Sequence, residues 1–144
     1  MIEARWYSGF EDLTDAHMIR RAVYIDEQGV DPEEEFDGTD EACMHLVLYD
    51  DGAPVATGRV MWDNGKFLIG RVAVLKDRRG EKLGDFVVRL CIRKAFDSGG
   101  ETQYIRAQIH ARKFYEKLGF EAYGDEFLEA NIPHICMKRH GDVG

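Results

Sequence analysis

The chain has 144 residues, with 27 Asp and Glu against 19 Lys and Arg, a formal net charge of -8 and 44% hydrophobic residues. That is the size and balance of one soluble domain able to bury a core without staples, and so acidic a surface repels phosphate backbones, which excludes nucleic acid as the main partner. No apolar run approaches the ~20 residues of a membrane-spanning helix, the N-terminal MIEARWYSGFEDL has no signal-peptide core, and Cys43, Cys91 and Cys136 lack CxxC spacing and read as small buried apolar residues, which leaves the cytoplasm as the expected location and no membrane, disulfide framework or zinc site.

No internal repeat, low-complexity segment or linker interrupts the chain, so residues 1–144 are expected to form a single domain. Residues 2–7 read as a short first strand. Leu13, Ala16, Ile19 and Val23 recur at near-helical spacing in a helix running to Ile25, with Asp12 or Thr14 placed to cap it. Residues 29–41, GVDPEEEFDGTDE, lose apolar periodicity and hold Pro32, Gly38 and many carboxylates, which predicts an exposed loop with at most a short helical turn. Three antiparallel strands follow at 45–49, 55–62 and 67–75, joined by hairpin turns at Asp51-Gly52 and Asn64-Gly65. Leu83, Phe86, Val87, Leu90, Cys91 and Ala95 then mark one face of a helix that stops at Gly99-Gly100. Residues 104–109 read as a strand, and Ala111, Phe114, Tyr115 and Leu118 as the stripe of a short helix ended by Gly119. A strand at 120–123, an irregular stretch through Pro133 and a last strand at 135–138 complete the chain. This order predicts an α+β fold, a mixed sheet with helices on its faces.

The passage from the strand at 67–75 into the next helix carries Lys76, Arg78, Arg79, Gly80, Glu81, Lys82, Leu83 and Gly84. A loop entering a helix presents unpaired N–H groups and the positive end of the helix dipole, and Gly80 and Gly84 let the backbone approach a ligand closely. This stretch of locally reversed charge is therefore a candidate phosphate-binding turn; the alternative is a solvated basic turn that starts a helix. A P-loop is excluded because Gly84 is followed by Asp85 and Phe86, and no GxGxxG fingerprint follows the first strand.

RVAVLKDRRGEKLG resembles the acetyl-CoA-binding signature of the GNAT superfamily of N-acetyltransferases, an Arg or Gln leading into xxGxG or xxGxA. Arg79 matches the leading residue and Gly84 the closing one, while Lys82 stands where the family usually has its middle Gly. HARKFYEKLGF resembles the second half of the pattern through Ala111, Phe114, Tyr115, Gly119 and Phe120. YIDEQGVDPEEEFDG near the start and AYGDEFLEANIPHICMKRH at the end resemble small single-domain bacterial members, so the resemblance spans nearly the whole chain. It implies the GNAT acyl-CoA N-acyltransferase fold, a mostly antiparallel sheet whose central strands splay to take acetyl-CoA. It also implies transfer of an acetyl group to a primary amine by direct attack, with no covalent enzyme intermediate and no metal. By the same resemblance the backbone at Val72, Ala73 and Val74 meets the pantetheine arm. Main-chain N–H groups of Arg79, Gly80, Glu81, Lys82, Leu83 and Gly84 hold the pyrophosphate, and Tyr115 protonates the departing thiolate. On pattern alone Tyr115 reads as a core aromatic; the donor's role comes from the resemblance, and a phenol of ordinary pKa about 10 suits it by staying protonated at neutral pH.

The acceptor amine must shed a proton. Glu27, where resembling proteins carry a Glu, is the first candidate base, with His45, His110 and water as alternatives. The acidic run Asp31, Glu33, Glu34, Glu35, Asp37, Asp40 and Glu41 reads either as a solvated loop or as a lid that attracts a cationic amine. Arg71 reads as a ligand for an acceptor carboxylate or as a cover of the sheet. An edge strand is open to pairing across a homodimer. The competing reading is a non-catalytic acyl-CoA sensor or interaction module on the same fold, to which Lys82 gives weight.

Overall fold

Seven strands form, β1 (Ile2–Ser8), β2 (Cys43–Asp50), β3 (Ala53–Asp63), β4 (Lys66–Val74), β5 (Thr102–Gln108), β6 (Glu121–Glu129) and β7 (Ile132–His140). Between them lie the helices α1 (Thr14–Arg20), α2 (Pro32–Glu35), α3 (Leu83–Asp97) and α4 (Arg112–Glu116), in a computed structural model that describes residues 1–143. The strands make one sheet in the order β1-β2-β3-β4-β5-β7-β6, antiparallel at every pair except β4 with β5. This is the mixed sheet with flanking helices that the element order predicts.

Helices cover both faces of the sheet, which is why β2 reads as an unbroken apolar run rather than an alternation. Leu46 and Leu48 point into a core shared with Val87, Val88, Cys91 and Ile92 of α3, while Val47 and Tyr49 point the other way against Ala16 and Ile19 of α1. Tyr115, Leu118 and Phe120 extend the α3 side of the core through α4 and the turn after it. Gly58 on β3 permits the close approach of α3, since a Cβ there would stand 2.6 Å from Val87 Cγ1 and 3.2 Å from Cys91 Sγ.

Both turns expected from Asp51-Gly52 and Asn64-Gly65 form with positive φ at each residue, as two-residue hairpins require. Two segments differ from the sequence expectation. The first helix changes at Arg21 into a π-helical stretch, Arg21–Glu27, in which the Gln28 amide reaches the Val23 carbonyl five residues back at 3.1 Å. The stretch through Pro133 is not irregular: β6 runs to Glu129 and β7 starts at Ile132, joined at Ala130-Asn131 with φ of 52° and 62°. Neither turn residue is glycine, so the hairpin leaves no mark in the composition. Pro133 is tolerated because it precedes the first pair of β7 with β5, His134 opposite Gln108, where its missing N–H breaks no rung.

Gly58→Ala is expected to destabilise the protein by about 1–3 kcal/mol through overpacking against α3. Urea unfolding should show a lower midpoint at unchanged slope; an unmoved midpoint would mean that α3 can shift away freely.

Candidate active site

β4 and β5 form only three pairs, Phe67 with Gln103, Leu68 with Tyr104 and Ile69 with Ile105, and then part. The parting begins at a bulge. Thr57 stands opposite Ala73 but Arg59 opposite Gly70, so β4 takes up one extra residue, Arg71, at a φ of 48°. Such a conformation in a non-glycine residue costs about 1–3 kcal/mol and persists only where its surroundings hold it. Between the parted strands lies a cavity of about 1450 Å³ lined by β4, β5, the π-helical stretch, α2 and the loop into α3. That exceeds the roughly 300–1,000 Å³ of ordinary small-molecule clefts.

Past Ile69, β4 has no strand on its β5 side. Because the Leu75 amide donates to the Val55 carbonyl on β3, the pleat turns the main-chain groups of Val72 and Val74 toward the opening. Two side chains meet them there. The Tyr24 hydroxyl donates to the Val72 carbonyl at 2.6 Å, and Arg79 donates to the Val74 carbonyl through Nε at 3.2 Å and Nη2 at 3.0 Å. Gln28, which ends the π-helical stretch, and Gln108 of β5 join side chain to side chain at 2.9 Å. Tyr115 lines the cavity with its ring edge-on to Phe114 and Phe120 at centroid separations of 5.0 and 5.8 Å, and its hydroxyl has no hydrogen-bond partner among the described residues. Burial pushes its pKa, and that of Tyr24, well above the ordinary phenol value, so both stay protonated at neutral pH.

The loop into α3 keeps the shape a phosphate site needs. Lys82 occupies the N-cap at φ 64° and ψ 21°, the left-handed conformation that the usual glycine would take, and no side chain caps the helix. Phe86 is the first amide to reach back, to the Lys82 carbonyl at 3.1 Å, which leaves the amides of the first turn directed outward. A Cβ added at Gly80 would meet nothing within 4 Å. The positive cluster is less free than the sequence suggests. Arg78 is taken by Asp50 at 2.8 Å and by Glu81, and Arg79 by both oxygens of Glu27 at 2.6 and 2.7 Å. Among the described residues Lys76 and Lys82 make no ion pair.

Of the three candidate bases, Glu27 and His110 line the cavity and His45 does not. The hydrogen bonds from Arg79 hold the Glu27 carboxyl below its usual range. His45 is buried with Nε2 2.9 Å from the Asp40 carbonyl, and burial lowers its pKa, so it stays neutral and structural. The acidic run divides. Asp31 caps α2 by accepting from the Glu33 amide at 2.9 Å, Glu33 and Glu34 are exposed at the cavity, and Glu35 and Asp40 turn inward. Arg20, 1% exposed, donates Nε to Glu35 at 2.8 Å and Nη1 to Asp40 at 2.9 Å, while Arg59 donates Nη1 to the same Asp40 oxygen at 2.9 Å. Arg71 on the bulge sets Nη2 3.2 Å from the Glu35 carbonyl. Tyr24, Gln28, Arg59, Gln108 and His134 also line the cavity and were not singled out by the sequence, because each sits inside a strand or helix pattern that reads as structural. No cluster of three or more His, Cys, Asp or Glu among the described residues is arranged to hold a metal, and no helix is long and apolar enough to cross a membrane.

Residues 22–140 match the family model described as an acetyltransferase (GNAT) domain. The uncharacterized N-acetyltransferase YjcF of Bacillus subtilis is 35% identical over 130 residues, which is 90% of this chain and 93% of that one. A crystal structure of an acyl-CoA N-acyltransferase from Pseudomonas aeruginosa superposes with a TM-score of 0.86 at 27% identity, covering 96% of this chain and 99% of that one. Escherichia coli ElaA superposes at 0.87 and 28%, with coverage of 96% and 99%.

Replacing Lys82 by Gly should relieve the left-handed strain and raise stability by up to about 1 kcal/mol. A lower unfolding midpoint would mean that the lysine side chain itself stabilises the loop. Acid should unfold the protein through Asp40. Burial alone would raise its pKa, but Arg20, His17 and Arg59 outweigh that and depress it strongly. Its stabilisation is therefore complete above the unfolded value near ~3.9 and fades as pH falls toward the lower folded value. Asp40→Asn, which leaves buried arginines uncompensated, should lose about 3–5 kcal/mol at pH 7 and show a flatter stability profile below pH ~4. Parallel profiles for the two proteins would remove Asp40 from acid unfolding.

Proposed function

Since the chain belongs to the GNAT acetyltransferase domain family, we propose that it moves an acetyl group from acetyl-CoA to a primary amine by direct attack, within the opening between β4 and β5. The observation that carries this reading is the parting of those strands over a cavity of about 1450 Å³ whose mouth is the uncapped N-terminus of α3. Outward amides from residues 80–85 and the open space at Gly80 fit a pyrophosphate, and the free edge of β4 at residues 72–74 fits an extended amide-bearing arm. The Val72 and Val74 carbonyls keep a second lone pair each beside Tyr24 and Arg79, and their N–H groups have no strand partner on that side. Arg79 contributes by shaping the loop, since its guanidinium is spent on Glu27 and Val74.

The cofactor supplies the acyl group as a thioester. The acceptor nitrogen bonds to the acyl carbon, the carbon–sulfur bond breaks, the thiolate takes a proton from Tyr115, and the amine's surplus proton goes to solvent, from which Tyr115 regains the one it gave. Tyr115 holds the proton for the sulfur: its hydroxyl is uncommitted, it lines the cavity, and burial keeps it protonated. Main-chain N–H groups of the β4 edge and the loop face the negative charge that develops on the carbonyl oxygen. Glu27 attracts the ammonium form of the acceptor and relays its proton to water rather than retaining it, because Arg79 keeps this carboxylate a weak base.

A thiol-release assay with acetyl-CoA and a panel of amines tests the reading. Tyr115→Phe is expected to lower kcat by about 10²-fold or more with cofactor affinity nearly unchanged. Glu27→Gln is expected to lower it by no more than about tenfold. Equal rates for wild type and Tyr115→Phe would remove the phenol from its role, and cofactor binding without turnover on any amine would favour a non-catalytic sensor.

A further inference from the structure

We propose that the acceptor amine carries its own carboxylate, as an amino acid does, and that Arg59 and Arg71 grip that carboxylate on the α1 side of the cavity. The inference rests on the acetyltransferase reading and names the acceptor class for the same site.

Three guanidinium groups, those of Arg20, Arg59 and Arg71, meet two inward-facing carboxylates, Glu35 and Asp40. Arg20 takes the larger share of both, with Nε on Glu35, Nη1 on each oxygen of Asp40, and Nη2 on the Glu35 carbonyl at 3.1 Å. Arg59, only 5% exposed, is left with one bond, Nη1 to Asp40; its Nε and Nη2 have no hydrogen-bond partner among the described residues. Arg71 spends Nη2 on main-chain carbonyls of Glu34 and Glu35. Its buried Nε lies 3.0 Å from Glu35 Oε2 but too far off axis for a hydrogen bond, and its Nη1 has no partner among the described residues. The remaining carboxylate within reach, Asp37, is 3.8 Å from Arg71 Nη2 and 42% exposed, and it offsets only part of the charge of Arg71 and Arg59. Arg59 and Arg71 both line the cavity. Unspent donors on a nearly buried arginine, beside a second arginine, ask for an anion that the chain itself does not provide. Burial, with the nearby charge of Arg71, also weakens the hold of Arg59 on its proton, the direction expected of an under-compensated cation.

The bulge brings the pair together. Ile69 and Val72 belong to the α3 side of the sheet and Ala73 to the α1 side. Strict alternation from Ile69 would place Arg71 on the α3 side; the extra residue turns it instead toward α2, beside Arg59 on the neighbouring strand. The two guanidinium groups reach the cavity from adjacent strands, and their planar forks suit a planar carboxylate. Glu33 and Glu34, exposed along the cavity, favour the ammonium end of the same molecule. Reaction of such an acceptor gives an N-acetyl amino acid and the free thiol.

Thiol release should be compared for matched sets, each an amino acid, its amide and the amine that lacks the carboxyl group. The amino acid is expected to lead both partners in kcat/KM by about tenfold or more, the amount that a charge-assisted hydrogen bond supplies. Arg71→Gln and Arg59→Gln should each bring the ratio of acid to amine toward one, an effect that a merely structural role, lowering both rates together, would not produce. Preference for the uncharged partners, or for phosphate-bearing amines over amino acids, overturns the proposal while leaving the acetyltransferase reading intact. If no amine turns over, calorimetry with N-acetyl amino acids decides: binding to wild type that Arg71→Gln abolishes supports the carboxylate site, and no binding to wild type overturns it.

Discussion

Past Ile69 and Ile105 the strands β4 and β5 stop exchanging hydrogen bonds, and the main-chain groups left along the opening need other partners, because a buried carbonyl or amide without one costs about 1–3 kcal/mol. Side chains supply them for the carbonyls: Tyr24 covers that of Val72 and Arg79 that of Val74, while Gln28 and Gln108 pair with each other across the cavity. Tyr24, Glu27 and Gln28 all come from the π-helical stretch or the residue that ends it, a geometry found often at functional sites. A ladder would hold the two strands shut, whereas side-chain partners can share or yield a carbonyl to a ligand without disturbing the three rungs below. The opening is thus a stable feature of the sheet and a place where an extended molecule can take up main-chain hydrogen bonds.

A protein of net charge -8 can still present surfaces suited to an anion. Around the loop into α3, Arg78 and Arg79 are matched by Asp50, Glu81 and Glu27, which leaves Lys76 and Lys82 as the cations of that loop without an ion pair among the described residues. What faces outward is the amide row of an uncapped helix, whose field acts at contact range and does not depend on the overall charge. On the other side of the sheet the charge is buried. Arg20 ties Glu35 and Asp40 to α1 and so draws two residues of an acidic run out of solvent, which fixes the segment that roofs Arg59 and Arg71.

Much of the sheet was legible because its signals are local. Asp51-Gly52 and Asn64-Gly65 announce their hairpins, and the stripe of Leu83, Val87, Cys91 and Ala95 announces α3. The motif singled out the loop from Arg79 to Gly84 and Tyr115, and of these all but Glu81 line the cavity. What escaped depends on backbone changes that carry no compositional mark. The hairpin at Ala130-Asn131 has no glycine, the π-helical stretch keeps an apolar spacing that also suits an α-helix, and the bulge falls on an arginine. Those last two changes place Tyr24 and Arg71, so the features hidden from the sequence are the ones that build the cavity wall. The burial of Glu35 and Asp40 was hidden for a different reason: their arginine partners lie on α1 and β3, far away along the chain.

Lys82 bears on whether the fold kept its chemistry. A substitution at the middle glycine of a phosphate-binding turn would disable the site if it forced φ negative, since the amides would then turn away from the ligand. Lys82 instead holds φ at 64°, and the helix still begins at Leu83 with its first-turn amides outward. The departure from the signature changes a side chain and leaves the main-chain donors where a glycine would leave them. With the turn preserved and an uncommitted, protonated phenol on the cavity wall, the one sequence feature that favoured a non-catalytic module gives it no structural support.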